Sequence, residues 1–117
     1  MSFNFGSPAE IASLYIDSTV DVGGPGHPSV HYHELPLPQI KNALTYLGVA
    51  LARAMKDEAE EEVVEIIRKE FEEIVLYLAD MSEEYSQRIV DYKIEFPGGP
   101  KAKTHYRDLI LSHRSAN

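Results

Sequence analysis

No proline falls between Pro38 and Pro97, and Gly48 is the only glycine in that stretch. Proline and glycine are the strongest helix breakers, so a run of this length without them commits the middle of the chain to helix. The breakers gather on either side. One cluster is Gly23-Gly24-Pro25-Gly26-His27-Pro28, and the other is Phe96-Pro97-Gly98-Gly99-Pro100.

Within the helical stretch, Ile40, Ala43, Leu44, Leu47, Leu51, Ala54 and Met55 recur at helical spacing and predict a first long helix beginning near Pro38. Asp57 followed by Glu60 has the form of a capping box, which places a tight turn around residues 56–58. The next segment is more regular. Val64, Phe71, Leu78, Tyr85 and Tyr92 repeat every seven residues, and Ile67, Ile74 and Met81 follow the first three of them by three. Val63, Val75, Tyr77 and Ile89 widen the stripe beyond a coiled-coil seam.

A single helix from Asp57 to Val90 would be about 50 Å long at the usual rise per residue. A compact domain of about 100 residues has a radius of gyration of only about 13 Å. Three outcomes resolve the mismatch: a break at Asp80-Met81-Ser82-Glu83, a change to strand where Val90, Tyr92, Ile94 and Phe96 alternate with charged residues, or a second copy covering the surplus stripe. The reading adopted combines the last two. It has helix to Val90, a short strand to Phe96, and a homodimer.

The ends are less regular. Ser7-Pro8-Ala9-Glu10 reads as a capping box opening a short helix to Asp17. Residues 19–22 and 29–34 form a candidate two-stranded ribbon around the glycine-rich loop. The segment from Thr104 to His113 reads as a short helix capped by Thr104. The expected fold is therefore mainly α, an α-rich α+β chain. It has an antiparallel helical hairpin with one long helix, a small β-ribbon from the N-terminal third and a short C-terminal element. One domain is expected over residues 1–117, with segments 1–36, 37–96 and 97–117.

Charge narrows the function classes. The net charge is −8, and nine acids lie from Asp57 to Glu73 against Arg68 and Lys69 alone. Such a body repels nucleic acid and anionic membranes at long range, so direct nucleic-acid binding is not expected. No apolar run approaches the roughly 20 residues of a membrane span. The chain has no cysteine, which excludes disulfides, thiolate metal sites and cysteine nucleophiles. With no signal-like start at Met1 to Gly6, a cytoplasmic location is expected.

One constellation could hold chemistry. His27, His31, His33 and Glu34 fall within eight positions, and on a strand His31 and His33 would share a face. Two imidazoles and a carboxylate can bind a divalent metal with positions left open, which would make the chain a metal-dependent enzyme or sensor. The plainer alternative is a solvated ribbon face. Elsewhere, Glu58, Glu61, Glu62 and Glu65 lie away from the apolar stripe. They suit docking to a partner protein with a basic surface, mimicry of nucleic acid, or simple solvation at a helix N-terminus. Phe71, Leu78, Tyr85 and Tyr92 suit a partner-covered stripe or a core margin. The basic tail from Lys101 to Arg114 meets an outside anion, folds back on the acidic helix, or stays free. No family resemblance emerges. The leading expectation is a non-catalytic protein-binding or regulatory module without a cofactor, acting through its acidic helix and Gly/Pro-rich loop.

Overall fold

The computed structural model describes residues 6–20 and 37–116. They form five helices: α1 (Pro8–Val20), α2 (Leu37–Lys56), α3 (Glu61–Met81), α4 (Glu83–Val90) and α5 (Pro100–Ala116). Among the described residues there is no strand. The mainly α expectation holds, and the β-ribbon finds no support. Residues 19 and 20 of its first arm continue α1, and the remainder lies outside the described residues.

Helix α1 starts where its capping box predicts. The Ser7 amide donates to Glu10 Oε1 at 3.1 Å, and the Glu10 amide donates to Ser7 Oγ at 3.3 Å. Each side chain thus satisfies a backbone donor that a helix start leaves open. The helix lays Ala12 and Ile16 into the core against α2 and α3.

Helices α2 and α3 form the predicted antiparallel hairpin, joined by the 57–60 turn. Ile40, Ala43, Leu47, Leu51 and Ala54 are buried on α2, facing Val63, Ile67, Ile74 and Val75 of α3. The turn is built differently from the capping box expected at Asp57. The N-cap residue is Glu60, with no side-chain cap, and Glu58 takes a left-handed φ of 54°. Asp57 instead accepts a hydrogen bond from Tyr15 Oη at 2.9 Å, tying α1 to the turn.

The single long helix is corrected. α3 stops at Met81, and Ser82 leaves helical geometry with φ −134° and ψ 106°. Its Oγ accepts from the Tyr85 amide at 3.1 Å, capping α4. A serine at this position supplies both a break and a restart. The strand from Val90 to Phe96 is corrected too. Tyr92 has a φ of 61°, a left-handed turn that strand geometry does not allow. Ile94 and Phe96 are buried to different degrees by packing, not by pairing with a neighbouring strand.

The C-terminal helix is longer than expected, with Thr104 inside it and Pro100 at its first position. Tyr106 and Ile110, one turn apart, are buried. Phe96 stacks on Tyr106 at 4.3 Å between ring centroids, and Phe71 meets both rings edge-on at 6.1 and 5.7 Å. That trio locks α5 to the middle of α3. The basic tail folds back on the chain. His105 contacts Glu72 at 2.7 Å and His113 contacts Asp80 at 2.9 Å. Both pairs have the same separation in sequence, so α5 runs parallel to α3; Arg107 on Val90 and Arg114 on Ser86 run it antiparallel to α4.

Much of the stripe that seemed too long for one copy is thereby covered within the chain, although Met81 and Tyr92 stay exposed. Ile67, Phe71, Ile74 and Leu78 are all buried. The break at Ser82 and the return of α5 along α3 do this covering.

Candidate functional site

The surface feature most suited to binding is an apolar cleft of about 460 Å³ beside α2. One wall is the outward side of α2, where Leu44, Thr45, Gly48, Val49 and Ala52 follow one another at helical spacing. The facing wall is Tyr85 of α4 with Ile94 and Phe96 of the segment before α5, and Phe71 of α3 forms the floor. The hollow exists because the α2 side chains there are small. A Cβ added at Gly48 would stand 3.3 Å from Phe71 Cε1, so the absence of a side chain lets the ring lie directly against the helix. Glycine inside a helix is unfavourable by roughly 1 kcal/mol relative to alanine, and this close approach accounts for its presence.

Polar groups around the cleft are few. Glu95 at its rim is bridged to Lys103 at 2.6 Å. Thr45 Oγ1 donates back to the Lys41 carbonyl at 3.1 Å. Tyr85 contributes its ring, while its hydroxyl is buried without a hydrogen-bond partner among the described residues. Burial pushes the Tyr85 phenol up to about 12, so it stays protonated at any physiological pH.

The residues singled out from sequence fall into separate places. Glu58, Glu61 and Glu62 are exposed at the 57–60 turn and the first turn of α3, and with Asp57 and Glu60 they make an acidic tip. Glu65 is not part of a free face, because it is held by Arg68 at 2.6 Å. Phe71 and Leu78 are buried inside the chain, Phe71 at the floor of the cleft. Tyr85 lines the cleft. Tyr92 is 46% exposed, under the Arg107 guanidinium at 5.5 Å. His27, His31, His33, Glu34 and the Gly/Pro-rich loop lie outside the described residues. Among the described residues, no group of three or more His, Asp or Glu side chains could hold a metal ion.

The basic tail has internal partners. Arg107 Nε donates to the Val90 carbonyl at 3.1 Å and Lys103 Nζ to the Tyr92 carbonyl at 3.2 Å. These cations meet the carbonyl end of α4, where the helix dipole favours positive charge. Arg114 donates to Ser86 Oγ at 2.7 Å. A smaller hollow of about 300 Å³ is lined by Arg68, Lys101, His105 and Tyr106. Two of its basic groups are already turned to Glu65 and Glu72. No helix of the described residues is long and apolar enough to cross a membrane.

Sequence reasoning missed the cleft. The signal was Gly48, unexplained on a helix, with Thr45 and Ala52 near it on the same face. The opposite wall was hidden because Ile94 and Phe96 read as a strand. Comparison with known proteins adds no identity: no family model, no curated protein and no solved structure matches this chain.

Proposed function

We propose that this chain is a non-catalytic protein-binding or regulatory module of the cytoplasm, with the apolar cleft as its contact surface and the acidic tip as its steering surface. The cleft carries the reading. An open, apolar hollow with a small-residue wall takes a protruding apolar side chain of a protein partner, and such buried anchors supply most of the energy of a protein interface. The acidic tip at Asp57, Glu58, Glu60, Glu61 and Glu62 favours a partner with a basic surface. Opposite charges there accelerate encounter more than they tighten the final complex. A chain without cysteine fits a reducing compartment.

The test is capture of the partner by cross-linking in a lysate of the source cell, followed by kinetics with the purified pair. Reversing Glu58, Glu61 and Glu62 to lysine should slow association roughly tenfold at low salt and flatten its salt dependence. Thr45→Trp, which fills the cleft from an exposed position, should speed dissociation. An association rate indifferent to the triple reversal removes the steering role, and a dissociation rate indifferent to Thr45→Trp removes the cleft.

A further inference from the structure

We propose that the cleft of one copy takes helix α1 of a second copy, with Leu14 as the side chain that enters it. This names the occupant of the cleft and rests on the protein-binding reading above.

Helix α1 leaves one side outside the bundle. Ala12 and Ile16 hold its inward side to the bundle. Its outward side is Glu10, Leu14 and Asp17, spaced four and three residues apart and therefore aligned in one stripe. Leu14 is 61% exposed, more than any other large apolar side chain among the described residues. It is not part of the core that the described residues form. Helix α1 carries two acids and no cation, so Leu14 stands as an apolar knob between negative charges.

The receiving surface is opposite in shape and in sign. Thr45, Gly48, Val49 and Ala52 leave a hollow on α2 where larger side chains would leave a ridge. Lys41 lies one turn before Thr45, Arg53 one turn after Val49, and Lys56 one turn after Ala52. Helix α2 contains no acidic residue. In a chain of net charge −8, a helix face whose own charged residues are all cations is the local exception, and an acidic helix is the element it attracts. The one acid on the facing wall, Glu95, is bridged to Lys103. A protruding leucine set into a small-residue hollow is also how one helix packs across another. Within one chain the two cannot meet: the inward face of α1 fixes it against α2 and α3, and no α1 residue lines the cleft. The contact therefore joins separate copies, each offering one knob and one hole.

A single short helix in a groove covers less than the standard interface of about 800 Å² per partner. Association should accordingly be weak, with half-dissociation on the order of 100 µM. Sedimentation of the full chain from about 10 µM to about 1 mM should show growth from monomer to larger species, weakened by added salt. Leu14→Gln and Thr45→Trp each change an exposed residue, and each should lower self-affinity at least tenfold with unchanged circular dichroism. An equimolar mixture of the two variants should restore a one-to-one pair, because the intact cleft of the first meets the intact knob of the second.

A wild-type chain that stays monomeric at the top concentration overturns the proposal. So do variants that associate like wild type, or a mixture that remains monomeric while wild type associates. The two readings separate cleanly. If the wild type is monomeric yet Thr45→Trp still speeds release of a foreign partner, the second copy is wrong and the cleft is right.

Discussion

The hydroxyl of Tyr85 is buried beside the cleft with no hydrogen-bond partner among the described residues, and a buried polar atom left unpaired is unfavourable by about 1–3 kcal/mol. Phenylalanine keeps the ring that walls the cleft and removes the unpaired oxygen. Tyr85→Phe is expected to raise stability by about 1 kcal/mol, read as a higher urea midpoint at unchanged slope. A fall of similar size would show that the hydroxyl has a bonding role in solution. Gly48 makes the complementary point about close packing. Its neighbour Phe71 is pinned by Phe96 and Tyr106, so the ring has little room to retreat from a new methyl group. Only the glycine itself was visible in the sequence; the ring that requires it lies 23 residues further on and reaches it through the hairpin.

At the scale of elements, periodicity identified which residues of the hairpin face inward but not where the second helix ends. Val64 to Tyr92 keeps a seven-residue rhythm in the sequence across a break in the helix, yet beyond the break Ser86 and Ile89 are the buried positions and Tyr92 is exposed. The break belongs to Ser82, whose Oγ caps α4. Ser82→Ala should destabilise the chain by about 1 kcal/mol, measured by thermal or urea unfolding. Ser82→Asp, which keeps a capping oxygen and suits the helix dipole, should leave it nearly unchanged. An alanine variant as stable as the wild type would mean that packing alone sets the break. The Val90–Phe96 alternation misled for a related reason. Period-two patterning reports a half-buried extended segment only if another strand pairs with it, and here Phe96 is buried by two aromatic rings and Tyr92 turns the chain. The Ser7–Glu10 box succeeded because its partners are three residues apart and owe nothing to the rest of the fold.

For the whole molecule, three tyrosines lie where elements meet, and they tie global stability to alkaline pH. Tyr106 joins α5 to α3, Tyr85 joins α4 to the cleft, and Tyr46 is buried on α2. All three phenols are raised above their ordinary value. Burial is the main cause in each, with the charges of Glu72 near Tyr106 and Glu70 near Tyr46 adding to it. A raised acid of this kind stays protonated in the fold while the unfolded chain ionises near pH 10. The unfolded state then binds fewer protons, so stability is complete below about pH 10 and falls as pH rises towards the folded value. Tyr85, pushed to about 12, should alone account for a loss of roughly 2 kcal/mol over that interval. Because these side chains sit in one continuous core, the loss should appear as a single transition. Helical circular dichroism and the late fraction of tyrosinate absorbance should change together between pH 10 and 12. Tyr85→Phe should move that transition to higher pH, since it deletes one of the protons whose release drives unfolding. Tyrosinate absorbance complete near pH 10, ahead of any loss of helix, would mean that the phenols reach solvent in the folded chain and that the core is looser than its packing implies.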